Sequence, residues 1–378
     1  MSTLNVDNLK TLSGNGIDAQ IVSIGGGQLS HRNKVINGGM LINQRASSYT
    51  STGGEYTLDR YNHAAGSAFT FDTTTTQDSS TPDGFSKSLK ITPDSTQTPT
   101  GSHNGTLKQM IEGQDLQDLA FGTSSAKSVT VSFYAKSASS NNNHQYGLQL
   151  RTRDSSAQAR YVSQAFTVTT SWQRYTMTFA GNTSVAIRND NGNGFEICFH
   201  LASGPDDIVS AKSTWTTSSA FQTVTGQSNF MDNTSNEFYL TGVQLEVGDT
   251  ATSFEHCSYA EELHRCQRYF TFAPSGTVFP GRGNSGSSYI YSYQSTVPMR
   301  VSPTIGTSND IAHGTFSVRR YRDGTGVSDS TSTPTTNSTY FSPNTNMIHL
   351  IQGGFSGADD RSATLFISGG AITMSAEL

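Results

Sequence analysis

Phe238-Tyr-Leu-Thr-Gly-Val-Gln-Leu-Glu-Val-Gly-Asp-Thr-Ala-Thr-Ser-Phe-Glu255 is the stretch around which the chain is organised. Its first ten residues alternate. Phe238, Leu240, Gly242, Gln244 and Glu246 fall on one side, and Tyr239, Thr241, Val243, Leu245 and Val247 on the other. Alternation with period two, in a run rich in β-branched and aromatic types, predicts a strand with one buried face. Gly248-Asp249 then breaks it. A strand this late in a long β-rich region is placed to close a sheet opened far upstream. The candidate opener is Val35-Ile-Asn-Gly-Gly-Met-Leu-Ile-Asn-Gln-Arg45.

Working outward, the same alternation recurs in Ala68–Asp72, Ser88–Thr92, Ser128–Lys136, Tyr146–Arg151, Ala165–Thr169, Trp172–Phe179 and Gly194–Leu201. Between these runs, segments 73–83, 93–104, 137–144 and 189–194 read as polar turns. Leu107–Leu119 has the apolar spacing of a segment with a helical turn. Short strands separated by such loops predict an antiparallel sandwich over residues 33–255.

The segment Ser258–Phe270 is different. Ser258 with Glu261 makes a capping box, acids lie early, and Arg265 and Arg268 lie late, as the helix dipole favours. Tyr259, Leu263, Cys266 and Phe270 share one predicted buried face, so residues 256–270 read as a short linking helix. From Thr271 to Leu378 the pattern is β again, in Ser288–Tyr293, Thr315–Tyr321, Met347–Ile351 and Ala363–Ser368. Val297–Ile305 carries two prolines, as an edge strand does. The expected fold class is mainly β: an antiparallel jelly-roll sandwich, the linking helix, and a smaller distal β-domain over 271–378. Residues 1–32 hold Leu4, Val6, Leu9, Leu12 and Ile17 among glycines and polar residues, too sparse for a core of their own. They are expected to be buried against copies of the chain or another protein.

Composition sets bounds. Hydrophobic residues make up 33% and charged residues 14%, which suits neither a membrane protein nor a charge-driven disordered chain. The net charge of −5, from 24 basic and 29 acidic residues, is too balanced to imply nucleic-acid binding. No apolar run approaches the roughly 20 residues of a membrane-crossing helix, so no membrane insertion is expected. Cys198, Cys257 and Cys266 cannot all pair within one chain. With no basic-then-apolar leader in the first ten residues, synthesis in a reducing cytoplasm is expected.

Val35–Arg45 and Phe238–Glu255 resemble the first and last strands of carbohydrate-binding-module-like jelly rolls found in phage tail-fibre and related virion proteins. Val129–Lys136 and Trp172–Phe179 resemble their middle strands. Tyr259–Tyr269, Val297–Thr304 and Ala376–Leu378 resemble the distal end of phage tail-fibre proteins, so the resemblance covers residues 33–378. It implies a virion structural protein, made in the host cytoplasm and carried on the tail or particle surface, that contributes to host adsorption. It further implies a homotrimer, attached to other tail or capsid proteins through residues 1–32, that binds a host surface polysaccharide multivalently. A capsid-decorating fibre or tail adaptor without receptor binding is one alternative; a polysaccharide depolymerase is the other.

Nothing in the sequence calls for a cofactor, a metal or a catalytic residue. His256, Cys257, His264 and Cys266 lie close together, but their spacing matches no common two-plus-two zinc pattern. The neighbours Asp206-Asp207, Glu261-Glu262 and Asp359-Asp360 do not predict carboxylates facing across a cleft, as glycoside hydrolysis requires. Two features read as candidate glycan contacts. Tyr289, Tyr291 and Tyr293 alternate on one strand face and offer rings for stacking on sugars, with core or trimer-interface packing as the competing reading. Arg319, Arg320, Tyr321 and Arg322 offer a grip on anionic groups, with a solvated strand end as theirs.

Overall fold

A computed structural model of the chain describes residues 30–378 apart from 67, 154–158, 218–222, 275, 286–287, 306–315, 323–324, 330–335, 343–346, 354–361 and 368–370. Nearly all of the expected attachment segment 1–32 therefore lies outside the described residues. The first part of the chain runs β1 (Ser48–Ser51), β2 (Asn62–Gly66), β3 (Thr73–Asp78), β4 (Ser88–Pro93), β5 (Asn104–Glu112), β6 (Val129–Ser137) and β7 (Gln145–Thr152). It continues with β8 (Arg160–Thr167), β9 (Gln173–Phe179), β10 (Asn193–Ser203), the short β11 (Ile208–Val209), β12 (Thr216–Thr217) and β13 (Thr223–Val224), and β14 (Phe238–Val247). These form two six-stranded sheets, ordered β1-β3-β4-β14-β6-β9 and β12-β8-β7-β10-β5-β2, with every pairing in them antiparallel. Their inner faces enclose one apolar core, so the fold is the expected jelly-roll sandwich.

β14 spans the ten residues the alternation marked, but every one of them is buried rather than every second one. The phase also changes midway. Phe238 and Leu240 face the core before Gly242, and Val243, Leu245 and Val247 face it afterwards. The pairing with β6 shifts register between Thr241 and Gln244, which marks a β-bulge. Gly242 has φ +62°, and a Cβ there would stand 2.7 Å from the Phe85 ring and 2.9 Å from the Tyr134 ring. Only glycine takes that backbone conformation without strain and leaves room for both rings. One extra residue thus brings all five apolar side chains to the same face.

The outer face of β14 is covered by flanking chain. β4 pairs with it only over Phe238–Leu240. Beyond the bulge its place is taken by the proposed opener, which is not a regular strand. Lys34 N donates to Leu245 O at 2.9 Å and Val243 N to Gly38 O at 2.9 Å. The Asn33 side chain bridges the gap, donating to Val243 O and accepting from Leu245 N, each at 3.1 Å. The turn after β14 folds back on Gln244 and Glu246: Thr252 N donates to Glu246 Oε1 at 2.9 Å and Glu255 N to Gln244 Oε1 at 2.8 Å. Partnered in this way, two polar side chains tolerate burial.

Two local readings are corrected. Thr73–Asp78, read as a turn, is β3, because a run of β-branched threonines suits a half-buried pleat; Thr73 and Thr75 turn inward onto the ring nitrogens of buried His63, at 3.1 and 2.8 Å. Ala68–Asp72 is not a strand, although Phe69 and Phe71 enter the core. Leu107–Leu119 divides into the end of β5 and a 3₁₀ turn, Gly113–Leu119.

The helix α1 (Tyr259–Gln267) follows, and then β15 (Phe270–Pro274), β16 (Val278–Ser285), β17 (Ser288–Gln294), β18 (Thr304–Ile305) and β19 (Phe316–Arg322). β20 (Thr325–Asp329), β21 (Thr336–Ser342), β22 (Met347–Gly353), β23 (Ser362–Ile367) and β24 (Ala371–Ser375) complete the chain. They form a three-stranded sheet, β15-β24-β18, and a seven-stranded one, β20-β19-β23-β16-β17-β22-β21.

Candidate functional site

α1 begins as the capping box predicts, with Glu261 N donating to Ser258 Oγ at 3.2 Å. Its buried face overlaps the predicted one: Cys266 and Phe270 are buried and Leu263 half-buried, but the face turns away from Tyr259. Tyr259 is 58% exposed, whereas Glu262, Cys266 and Tyr269 point inward at helical spacing. The physical reason is a hydrogen bond: Glu262 Oε1 takes the backbone N–H of Asn37 at 2.6 Å, in the turn of the opening segment. Burial raises the Glu262 pKa, and the Asn37 hydrogen bond opposes that rise only in part. Arg268 then reaches Glu112 at the end of β5 with two bonds, at 2.7 and 2.8 Å, and Tyr269 Oη donates to the same carboxylate at 2.6 Å. Burial would raise Glu112, but these bonds outweigh it and hold the group below its ordinary value.

Between α1, the 3₁₀ turn, the opening segment and Glu255–Cys257 lies a cleft of about 630 Å³. Lys34, Arg265 and Arg268 bring positive charge to its lining, and Asp115, Glu255 and Glu261 bring negative charge. Several of these groups are held in place. Lys34 Nζ lies 2.8 Å from Asp118, Glu255 Oε2 accepts Asn33 N at 2.9 Å, and Arg265 stands 3.6 Å from Glu262. Burial, and after it the neighbouring Glu112, raises the pKa of Asp115. His256 lines the cleft and also belongs to an aromatic wall whose other rings lie outside that lining. Its ring lies 4.9 Å from Phe254 and 5.2 Å from Phe85, which meets Tyr134 at 5.3 Å and Phe254 at 5.0 Å. Donors and acceptors set beside the rings of His256 and Tyr269 are what a polyhydroxylated ligand needs.

The residues marked in the sequence are not brought together here. Tyr291 is fully buried on β17, its ring over Gly281, where an added Cβ would meet it at 2.4 Å. It offers no face to a sugar, because β17 lies inside the seven-stranded sheet between β16 and β22. Tyr293 is half-buried and packs on Phe279 at 5.5 Å. The side chain of Tyr289 lies outside the described residues. So do those of Arg319, Arg320, Tyr321 and Arg322, whose backbone forms β19. Asp207 is buried in a 3₁₀ turn with its pKa pushed up to about 6, mainly by burial, while Asp206 beside it belongs to the same turn. Asp359-Asp360 lies outside the described residues. Cys266 is buried inside α1 and His256 belongs to the aromatic wall. The cleft escaped sequence reading because its lining comes from stretches more than 200 residues apart. The one local signal was the charge order of α1.

No family model and no curated protein matches the chain. Among solved structures, it is similar to the enzymatically active domain of tailspike protein 4 of bacteriophage CBA120, with 14% identity, 57% of this chain and 21% of that one covered, and a TM-score of 0.30. The chain thus spans about a fifth of that domain's length. It is also similar to the CBM22-1 xylan-binding domain of Paenibacillus barcinonensis Xyn10C, with 12% identity, 56% and 98% covered, and a TM-score of 0.27. A third is the family 11 carbohydrate-binding module of a cellulosomal cellulase of Clostridium thermocellum, with 13% identity, 54% and 96% covered, and a TM-score of 0.29.

Proposed function

We propose that this chain is a carbohydrate-binding fibre protein of a phage particle, holding host surface glycan in the cleft beside α1. The observation that carries the reading is the lining of that cleft: three cations and three carboxylates around about 630 Å³, with the rings of His256 and Tyr269 set among them. Arg265 and Lys34 would donate to sugar hydroxyls, Asp115 and Glu255 would accept from them, and His256 would close the edge. Placement on a virion, attachment through residues 1–32 and a homotrimer are supported by the resemblance of residues 33–378 to tail-fibre proteins. Three weak sites on one fibre, repeated around a particle, gain avidity without any new contact. Contacts from the distal strands β17 and β19 belong to the same reading, without Tyr291.

The test uses the full chain. Host cells and their purified surface polysaccharide are expected to retain the protein, and Arg265→Ala with Asp115→Asn to weaken retention about tenfold, a loss of about 1.4 kcal/mol. Equal retention of the variant, with unchanged unfolding, would remove the cleft from the function. No retention of either protein would leave the tail-adaptor reading in its place. Immunogold labelling of particles tests the location.

A further inference from the structure

A second patch lies on the outer face of the first sheet. Trp172, at the entry to β9, meets Tyr239 of β14 edge-on, with ring centroids 6.1 Å apart. The Lys136 ammonium stands over both rings, 4.4 Å from Tyr239 and 5.5 Å from Trp172, and donates to Ser80 Oγ at 2.7 Å. Tyr239 Oη donates to Glu237 Oε2 at 2.9 Å, and Glu237 Oε1 is 2.8 Å from Lys90 Nζ. Asp78 is the fourth charge near Tyr239 and Lys90. The register pairs Tyr239 with Lys136 and Thr241 with Tyr134, so this patch lies in line with the Tyr134 and Phe85 rings of the aromatic wall.

Two observations make it more than a solvated face. Trp172 remains part-exposed, yet its indole N–H is buried with no acceptor among the described residues. Leaving such a group unsatisfied costs about 1–3 kcal/mol, so packing alone gives no reason for a tryptophan here. The two lysines and two carboxylates also balance, and a balanced set of donors and acceptors suits an uncharged polyol better than an ion.

We propose that Trp172, Lys136 and Glu237 form a subsite for a neutral hexopyranose unit. The sugar ring lies on the Trp172 face, a hydroxyl oxygen accepts from the Lys136 ammonium, and a hydroxyl donates to the Glu237 carboxylate. The inference rests on the glycan-binding reading and extends it to a second set of residues.

The chain has two tryptophans, so Trp215→Phe leaves Trp172 as the sole indole reporter. This full-length variant is titrated with neutral gluco-, galacto- and manno-hexaoses and with hexagalacturonate, following fluorescence and, in parallel, heat. At least one neutral hexaose is expected to change Trp172 emission saturably, nearly independently of salt. Adding Lys136→Gln is expected to weaken that response about tenfold, Trp172→Ala to abolish the matching part of the heat, and Trp172→Phe to retain it. Heat without any change in Trp172 emission would overturn the subsite and leave the glycan reading standing. A response to hexagalacturonate alone would overturn the neutral ligand. Neither heat nor emission change with any hexaose would count against subsite and glycan reading together, whereas retained host-cell binding would then sink the subsite alone.

Discussion

The interior of the sandwich and the seam where the chain's last residues meet it are built from opposite materials. Between the two sheets the contacts are apolar: Phe133 of β6 meets Phe199 of β10 at 5.0 Å and Phe166 of β8 at 5.1 Å, both edge to face. At the seam the contacts are ionic and directed. Glu377 receives Arg45 at 2.9 Å and also Arg60, all three nearly inaccessible to water. Arg60 stacks on Tyr269 at 3.4 Å and Arg45 on Phe270 at 3.7 Å. Arg300 donates to the carbonyls of Ala376 and Glu377 at 2.7 Å each, and Tyr56 Oη to the main-chain oxygen of Leu378 at 2.8 Å. The difference teaches where position is specified. An apolar core accepts many packings of similar volume, whereas a buried ion pair accepts one partner in one place.

The strongest way to break the contrast is Glu377→Ala, which leaves two buried guanidinium groups without their carboxylate. It is expected to cost about 3–5 kcal/mol in chemical denaturation. Replacing Arg45, Arg60 and Glu377 together with apolar residues of similar volume sharpens the point. That variant is expected to unfold close to wild type, since the ionic set contributes specificity more than net stability. In the interior, Leu240→Ala is expected to cost about 3 kcal/mol by leaving a cavity, with no such rescue from a charged partner.

Acid should act on the sandwich through its histidines. Burial lowers His63 from 6.5 to about 3, and burial followed by Arg151 lowers His200 from 6.5 to about 3. A depressed folded pKa gives stability that is complete above 6.5 and is lost as pH falls towards 3, because only the unfolded chain takes up the proton there. The expected slope is about 1.4 kcal/mol per pH unit per histidine. Denaturant midpoints measured across that window should flatten in His63→Gln, and an unchanged slope would sink the assignment. The smallest effect is at the helix start, where Ser258→Ala is expected to cost about 1 kcal/mol and to loosen one wall of the cleft.

Much of this was legible in the chain. Strands such as β6, β7 and β9 follow directly from period-two runs, and the cap of α1 from Ser258 and Glu261, because these signals depend on neighbours one to four residues away. Readings failed where distant chain intervened. Cys266 and Phe270 keep the buried face that their spacing predicts, whereas Tyr259 leaves it because Glu262 turns inward to bind Asn37. Tyr291 stood in an alternating tyrosine row, but the neighbouring strand supplied Gly281 to receive its ring.

β14 shows the division most plainly. Its existence, its ten-residue extent and its role as the late strand of the sheet are properties of local pattern, since alternation and β-branching act through the chain's own pleat. Its phase was not: the bulge at Gly242 is required only because Phe238 and Leu240 must share a core with Val243, Leu245 and Val247. The cleft is likewise a tertiary object, since Lys34, Asp115, Glu255 and Arg265 come within reach of one ligand only after two sheets, a turn and a helix have packed. Backbone preference is local, whereas concavity and charge pairing are properties of distant segments held at fixed separation.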